Sequence, residues 1–155
     1  MEKAISSALL IIASVVASMA LINAVLPAAN KSSGALLMAN SEAADRIRTD
    51  IEIVHASGNA TTNKITVWVK NIGTKNIVPV TSSDIIVTTP SDVIRLPYDA
   101  GCSNECWNFS IEEGGSDWTK AATVKFTLST AVVTGVYNVK ISVVNAVSAT
   151  KDFSV

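Results

Sequence analysis

The stretch Ala4–Leu26 reads AISSALLIIASVVASMALINAVL and contains no charged side chain. About 20 apolar residues in an α-helix, which rises 1.5 Å per residue, are enough to cross the hydrocarbon core of a bilayer. Asn23 is the one strongly polar side chain within the stretch, and it needs a hydrogen-bonding partner in a dry environment. The stretch therefore predicts a helix that is sheltered from water by lipid or by other helices.

Small residues recur every four positions within this helix, so they fall on shared faces. The alanine pairs are Ala4 with Ala8, Ala13 with Ala17, and Ala20 with Ala24. Small side chains let helix backbones approach one another closely, and we expect these alanines to contact neighbouring helices. The alternative is that alanine is simply a common residue in membrane helices.

An apolar helical pattern resumes after Pro27 and ends near residue 50. Its apolar positions are Leu37, Ala44, Ile47 and Ile51, which are spaced to share one face. The pattern predicts either one helix kinked at Pro27 or two helices separated by a linker at Asn30–Gly34. We divide the chain into an N-terminal helical region, residues 1–50, and a C-terminal domain, residues 51–155.

The C-terminal domain shows the two-residue alternation of half-buried strands. Ile65, Val67 and Val69 alternate with polar or amphipathic neighbours, and the same holds from Thr123 to Leu128. Eight candidate strands follow from this pattern: residues 51–55, 65–70, 84–88, 93–96, 107–111, 123–128, 136–144 and 149–155. The predicted fold is α+β, with a long N-terminal hydrophobic helix followed by an immunoglobulin-like antiparallel β-sandwich.

Composition argues against several classes of function. Twelve Lys and Arg against thirteen Asp and Glu give a net charge of −1, so the basic field that attracts nucleic acid is absent. Charged residues make up 16% of the chain and hydrophobic residues 48%. Soluble proteins carry about 25% charged residues, so a membrane or a subunit interface is expected to absorb the apolar excess.

Candidate catalytic and metal-binding residues are few. His55 is the single histidine, which leaves no spare histidine for a catalytic triad or a histidine-rich metal centre. Five acidic residues lie close together in sequence and offer oxygen ligands or an acid pair: Asp99, Glu105, Glu112, Glu113 and Asp117. Their spacing matches no calcium loop, and adjacent carboxylates on a strand point to opposite faces. We expect solvated turns here, with no enzyme activity, metal or cofactor.

Cys102 and Cys106 enclose the short segment Ser103–Glu105. If the domain lies outside the cytoplasm, two cysteines this close are most simply a disulfide. Such a small ring stiffens a loop more than it stabilises a whole fold. A redox or zinc pair is the alternative.

Three sites fit the N-x-[ST] pattern of N-glycosylation. They begin at Asn30, Asn59 and Asn108, and the last two belong to the β-domain. Bound glycans at these asparagines are therefore a prediction of the sequence.

Two stretches of the chain resemble archaellins and related type IV pilin-like proteins of the archaeal flagellum. They are KAISSALLIIASVVA at Lys3–Ala17 and WVKNIG at Trp68–Gly73. In that family the hydrophobic helix lies in the membrane before assembly. It then packs with the helices of other copies into a filament core, and the β-domains form the outside of the filament. The resemblance implies a structural subunit of a motility filament, homo-oligomeric and extracellular after assembly.

Two departures from that family keep alternatives open. Only Met1–Lys3 precede the apolar stretch, whereas the family's precursors carry a basic leader, and the acidic residue near the mature start of pilins is missing. One alternative is a membrane-anchored accessory or stator protein of the archaellum motor. In this alternative the β-sandwich binds the cell envelope. Another is an adhesion pilin.

Overall fold

The computed structural model describes residues 2–115 and 117–155; Met1 and Ser116 lie outside the described residues. One long helix, α1, spans Glu2–Arg48 and precedes eight strands in the described part of the chain. The strands are β1 (Ile51–Asn59), β2 (Lys64–Asn71), β3 (Asp84–Thr88), β4 (Val93–Leu96), β5 (Cys106–Ile111), β6 (Thr123–Ser129), β7 (Val136–Ser142) and β8 (Ser148–Ser154). The predicted α+β order is therefore confirmed.

Helix α1 runs without interruption through Pro27, so the alternative of two helices separated at Asn30–Gly34 is wrong. Proline removes one N–H from the helical ladder, and the long hydrogen-bonded segments on both sides of it maintain the helix. The helix ends where Thr49 donates both its backbone N–H and its Oγ1 hydroxyl to the carbonyl of Asp45, at 3.1 and 2.8 Å. Arg46 and Arg48 lie in the last turn, where cations complement the helix dipole.

The chain forms two compact units, residues 1–42 and residues 43–155. The last turn of α1 belongs to the second unit and is bonded to the loop after β2. The carbonyl of Arg48 accepts hydrogen bonds from the backbone N–H groups of Thr74 and Lys75, at 2.9 and 3.1 Å. Lys75 Nζ also pairs with Asp45 Oδ2 at 2.5 Å.

The second unit is a sandwich of two antiparallel four-stranded sheets. The strand orders are β1-β2-β6-β5 and β4-β3-β7-β8. Read as β1-β2-β6-β5 and β8-β7-β3-β4, they correspond to the A-B-E-D and G-F-C-C′ orders of immunoglobulin-type sandwiches. The fold class predicted from the two-residue alternation is confirmed.

Alternate residues of the central strands β2, β3, β6 and β7 fill the core between the sheets. Ile65, Val67 and Val69 of β2 are fully buried, whereas Thr66 and Trp68 face outward, as the alternation predicts. The largest fully buried side chains are Trp107, Trp118, Tyr137 and Phe126, and both tryptophan rings meet the Phe126 ring edge-on. These aromatic rings make up much of the apolar surface that stabilises the domain.

Strand β1 is longer than predicted because it contains a bulge. The register of β1 against β2 shifts between Ile53 and His55, so Val54 and His55 are both exposed. Alternation then resumes with buried Ala56, beyond the point where the sequence pattern ends. Lys151 of β8 donates its ammonium to the carbonyls of Ile53 and Val54, at 3.2 and 2.9 Å, which occupies acceptors at the bulge.

Candidate functional site

Helix α1 presents a largely apolar surface from Ala4 to Leu26, in which Asn23 is the one strongly polar side chain. The large apolar side chains between Ile5 and Leu26 are 49% to 72% exposed. The segment Lys3–Arg48 contains an 18-residue window of mean hydropathy 2.5, and it is long and apolar enough to cross a membrane. A water-facing surface of this size is unstable in solution and needs an apolar environment.

Helical geometry divides the six predicted packing alanines into two groups. With 3.6 residues per turn, Ala13, Ala17, Ala20 and Ala24 fall within about 60° of one another around the helix axis. Ala4 and Ala8 lie on the opposite side by the same geometry. All six are exposed. We define the first four as the alanine strip, which offers one continuous shallow surface for a second helix and remains a predicted contact.

Three serine hydroxyl groups in the apolar run of α1 bond to the helix backbone. Ser7 donates to the carbonyl of Ala4, Ser14 to that of Ile11, and Ser18 to that of Ser14, at 2.7 to 2.9 Å. A hydroxyl that is paired in this way does not need water. The serines of the apolar run are therefore compatible with lipid or with a dry helix interface.

The three predicted glycosylation asparagines lie in different settings. Asn30 is exposed on α1. Asn59 ends β1, and its Oδ1 accepts hydrogen bonds from the backbone N–H groups of Thr61 and Thr62, at 2.9 and 3.1 Å. Asn108 is half-buried on β5, opposite Thr127. Glycosylation of these residues stays a prediction, with Asn59 the acceptor on an exposed turn of the β-domain.

Cys102 and Cys106 lie in the segment that crosses from one sheet to the other. This segment leaves β4 and enters β5, and the structure joins the two cysteines by a disulfide with Cα atoms 5.5 Å apart. Around it, Asp99 donates its backbone N–H to the carbonyl of Trp107, and Trp107 donates its own to the carbonyl of Pro97, each at 2.9 Å. Both the N–H and the carbonyl of Trp107 on β5 are therefore hydrogen-bonded to the crossing segment.

The acidic residues near this crossing do not form a metal site in the described part of the chain. No group of three His, Cys, Asp or Glu side chains among residues 2–115 and 117–155 converges in a way that could hold a metal ion. Glu113 instead accepts a hydrogen bond from the backbone N–H of Thr123, at 2.9 Å. This hydrogen bond lowers the pKa of Glu113, and the positive charge of Lys70 adds to the effect.

His55 lies beside Trp68 on the outer face of the first sheet. Their ring centroids are 5.4 Å apart across the β1–β2 pair, and the histidine is exposed. A cross-strand ring contact of this kind stabilises strand pairing. This position agrees with the expectation that His55 is a strand residue.

Sequence reasoning missed a cleft next to the crossing segment. It is lined by residues at and just before the start of β3, at and just after the end of β4, and near the start of β5, among them Ser83, Asp84, Arg95, Tyr98 and Trp107. In the sequence these residues are up to 24 positions apart and match no motif. Only the fold brings them together, because the cleft lies where the edge strands of the two sheets approach each other.

Comparison with known proteins gives a family and a fold. The family model for archaeal-type flagellin matches residues 2–155. An uncharacterized protein of Archaeoglobus fulgidus is 32% identical over 131 residues, which are 80% of this chain and 78% of the relative.

Two solved structures from Sulfolobus acidocaldarius have a similar fold. The archaellum periplasmic stator protein FlaG superposes with a TM-score of 0.57 at 17% identity, over 68% of this chain and 99% of that chain. The archaellum periplasmic stator protein complex of FlaF and FlaG gives the same TM-score and identity, over 68% of this chain and 89% of that chain. At this identity the likeness shows a shared fold. The match of the family model over nearly the whole sequence shows that the chain belongs to the archaeal-type flagellin family and is an archaellum-related protein.

Proposed function

We propose that the chain is a membrane-anchored accessory protein of the archaellum motor, of the stator type. The observation that carries this proposal is the fold likeness to two solved structures of archaellum periplasmic stator proteins, which extends over 99% of the matched chain in one of them. In this proposal α1 anchors the chain in the membrane, and the β-domain acts outside it.

The properties of α1 support a membrane anchor. Its large apolar side chains are exposed from Ile5 to Leu26, and the hydroxyls of Ser7, Ser14 and Ser18 are bonded to the helix backbone. Lipid would cover the apolar surface without leaving these hydroxyls unpaired. A disulfide between Cys102 and Cys106 supports a β-domain outside the cytoplasm, where thiols oxidise.

The second candidate function is a subunit of the filament itself. It is favoured by the match to archaeal-type flagellin, which includes α1 as well as the β-domain. The alanine strip supports it too, because close helix packing in a filament core would keep the same surface dry. In both candidates the protein has a structural role, as the archaeal-type flagellins have.

Fractionation of archaeal cells that express this chain separates the two candidates. Surface filaments are sheared off, membranes are washed, and the chain is detected in both fractions by antibody. A stator-type protein stays in the membranes, and its deletion leaves filaments that do not rotate. A chain that makes up the sheared filaments, and whose deletion removes them, would reject the proposal. Lost surface attachment with normal swimming would reject it in favour of an adhesion pilin.

A helix variant gives an independent result. Ala17→Phe places a large ring in the middle of the alanine strip, and Val15→Phe places the same ring on the opposite side of α1. If the chain is a stator-type anchor in lipid, both variants support swimming and normal filaments. Loss of filaments with Ala17→Phe alone would contradict the proposal, because it would show that the strip packs in the filament core.

A further inference from the structure

The cleft between the two edge strands contains buried polar atoms that the fold leaves unsatisfied. The indole Nε1 of Trp107 and the hydroxyl Oγ of Ser83 have no hydrogen-bond partner among residues 2–115 and 117–155. Trp107 is 0% exposed and Ser83 8% exposed, and both residues line the same cleft of about 370 Å³. Most buried polar side-chain atoms in proteins are paired, so two orphans at one cleft indicate a missing partner.

The other side chains at the cleft offer a mixed set of hydrogen-bonding groups. Arg95 Nε donates to Asp84 Oδ1 at 2.6 Å, and this leaves the terminal guanidinium nitrogens and Asp84 Oδ2 available to a ligand. The Arg95 side chain is 75% exposed and the Asp84 side chain 38% exposed, so a bound molecule can reach both. Because the two charges compensate each other, the cleft has no net charge that would select a strong anion or cation.

An aromatic ring completes the wall of the cleft. Tyr98 is 38% exposed, and its ring centroid lies 4.9 Å from that of Trp107. The Trp107 ring is held in turn against Phe126, with centroids 5.5 Å apart. The cleft therefore combines a fixed indole N–H with an accessible aromatic ring, and its size is at the lower end of the roughly 300–1,000 Å³ of small-molecule sites.

We propose that this cleft binds one sugar residue. Trp107 can only donate, Asp84 can only accept when ionised, and Ser83 can do both. A ligand that satisfies all three needs groups that donate and accept, and the hydroxyls of a pyranose are such groups. Because Trp107 Nε1 and Ser83 Oγ are closed to water in this structure, the side chains that cover them must move aside when the sugar binds. The apolar C–H face of the same sugar would pack on the ring of Tyr98. A free sugar and the terminal sugar of a glycan share this chemistry.

This inference is independent of whether the chain is a stator-type protein or a filament subunit, because it uses the β-domain alone. A fractionation result that rejects the stator-type role would not affect the proposed sugar site. Absence of sugar binding would likewise not affect the proposed motor role.

The test follows the indole N–H resonances of the full chain by NMR in nanodiscs of a phosphocholine lipid. Maltoside and glucoside detergents are avoided because their headgroups are sugars. Glucose, galactose, mannose and N-acetylglucosamine are added singly at millimolar concentration, and then as the terminal residues of oligosaccharides. We expect the Trp107 resonance to shift with at least one sugar, and the Trp118 resonance to stay, since its N–H is already bonded to the carbonyl of Ala122 at 3.0 Å.

The two arms of the test distinguish the sources of the sugar. A shift that saturates with free monosaccharides at lower concentration supports a free sugar, and tighter binding of the oligosaccharides supports a glycan. If no sugar shifts the Trp107 resonance, the proposal is overturned.

Ser83→Ala and Arg95→Ala are the matched variants of the cleft. Ser83→Ala removes an orphan hydroxyl, so the thermal unfolding of the chain should not be weakened. We expect either variant to raise the sugar Kd about tenfold or more. The controls are Ser110→Ala on β5 and Lys140→Ala on β7, both exposed and outside the cleft, which should leave the Kd unchanged. Unchanged sugar binding in both cleft variants would overturn the assignment.

Discussion

At the scale of single residues, Gly73 is the position where the fold tolerates no side chain. A Cβ at this position would meet the carbonyl oxygen of Arg48 and would lie 2.6 Å from the backbone nitrogen of Asp50. Both are backbone atoms and cannot rotate away. We expect Gly73→Ala to lower the free energy of unfolding by about 1–3 kcal/mol.

Thermal or denaturant unfolding of the full chain in detergent micelles measures this loss. Gly101→Ala is the control, since the nearest atom to its Cβ is the Asp99 Oδ1 at 3.8 Å. This variant should unfold like the parent chain. Equal stability of Gly73→Ala and Gly101→Ala would show that the backbone around Arg48 can move aside.

Asn71 shows why such residues could not be predicted from the sequence. It is fully buried, and its Nδ2 donates to the carbonyls of Lys75, Trp118 and Thr119 at 2.9 to 3.3 Å. Trp118 lies 47 positions further along the chain. The sequence pattern places Asn71 in a turn after a strand, and nothing local distinguishes an exposed turn asparagine from one that donates to two remote carbonyls and one nearby.

At the scale of elements, alternation predicted the strands well, because one face of each sheet is buried and the other is wet. The prediction failed at the bulge of β1, where Val54 and His55 are both exposed and the period of two is lost. Pro27 left two alternatives open, one helix or two, and the structure has one helix, since a helix that is long on both sides of the proline keeps its other hydrogen bonds. Strand pairing depended on contacts that no local pattern encodes.

Tyr137 is an example of such a contact at the start of β7. Its hydroxyl donates to the carbonyl of Val133 at 2.9 Å and accepts from the N–H of Val133 at 2.8 Å. Its ring is buried, so these bonds fix the corner between β6 and β7 as the tyrosine corner does in immunoglobulin-type sandwiches. The motif could be recognised only after the strand order was known.

The loop between β5 and β6 should respond to acid through Glu113. The hydrogen bond from the Thr123 N–H lowers the pKa of this carboxyl below its ordinary value of 4.5. The ionised form therefore stabilises the folded loop above the unfolded pKa, and this contribution is lost as the pH falls through the folded pKa. NMR titration of the Glu113 carboxyl should give a midpoint below 4.5.

Glu113→Gln keeps an oxygen that can accept from Thr123 and removes the charge. We expect the amide resonance of Thr123 to lose its acid titration in this variant. A Glu113 midpoint at or above 4.5 would contradict the hydrogen bond from Thr123.

The crossing between β4 and β5 gives a prediction about Cys102 and Cys106. If they form the disulfide, reduction should raise the intact mass by two hydrogens, and a thiol-alkylating reagent should label the chain only afterwards. Mass spectrometry of the chain isolated without reductant measures both. Cys102→Ser is the control, because its remaining thiol should react at once. Labelling of both cysteines before reduction would show that they are free.

At the scale of the whole molecule, the proposed function predicts a topology. Protease added to intact cells should remove the β-domain, residues 51–155, and should spare the apolar part of α1 within the membrane. An antibody against each region follows the two fragments, and the same digestion after disruption of the membranes is the control. A β-domain that is cut only after disruption would place it in the cytoplasm and contradict the proposal.

The apolar run of α1 could be predicted because burial in lipid or among helices depends on composition alone. The cleft could not, since Ser83, Arg95 and Trp107 are ordinary residues until the fold places them around one cavity. The nearest sequence signal was the cysteine pair, since Cys106 directly precedes Trp107 in the chain.

The bonds between the last turn of α1 and the loop after β2 have a mechanical consequence. The N–H groups of Thr74 and Lys75 hold the carbonyl of Arg48, and those of Ile72 and Gly73 hold the carbonyl of Asp50. Tension or torque on the sandwich therefore acts on four backbone hydrogen bonds at this joint. Thr49 and Asp50 do not form a free linker between α1 and β1. In the proposed motor role, these bonds would carry load between the sandwich and the last turn of α1.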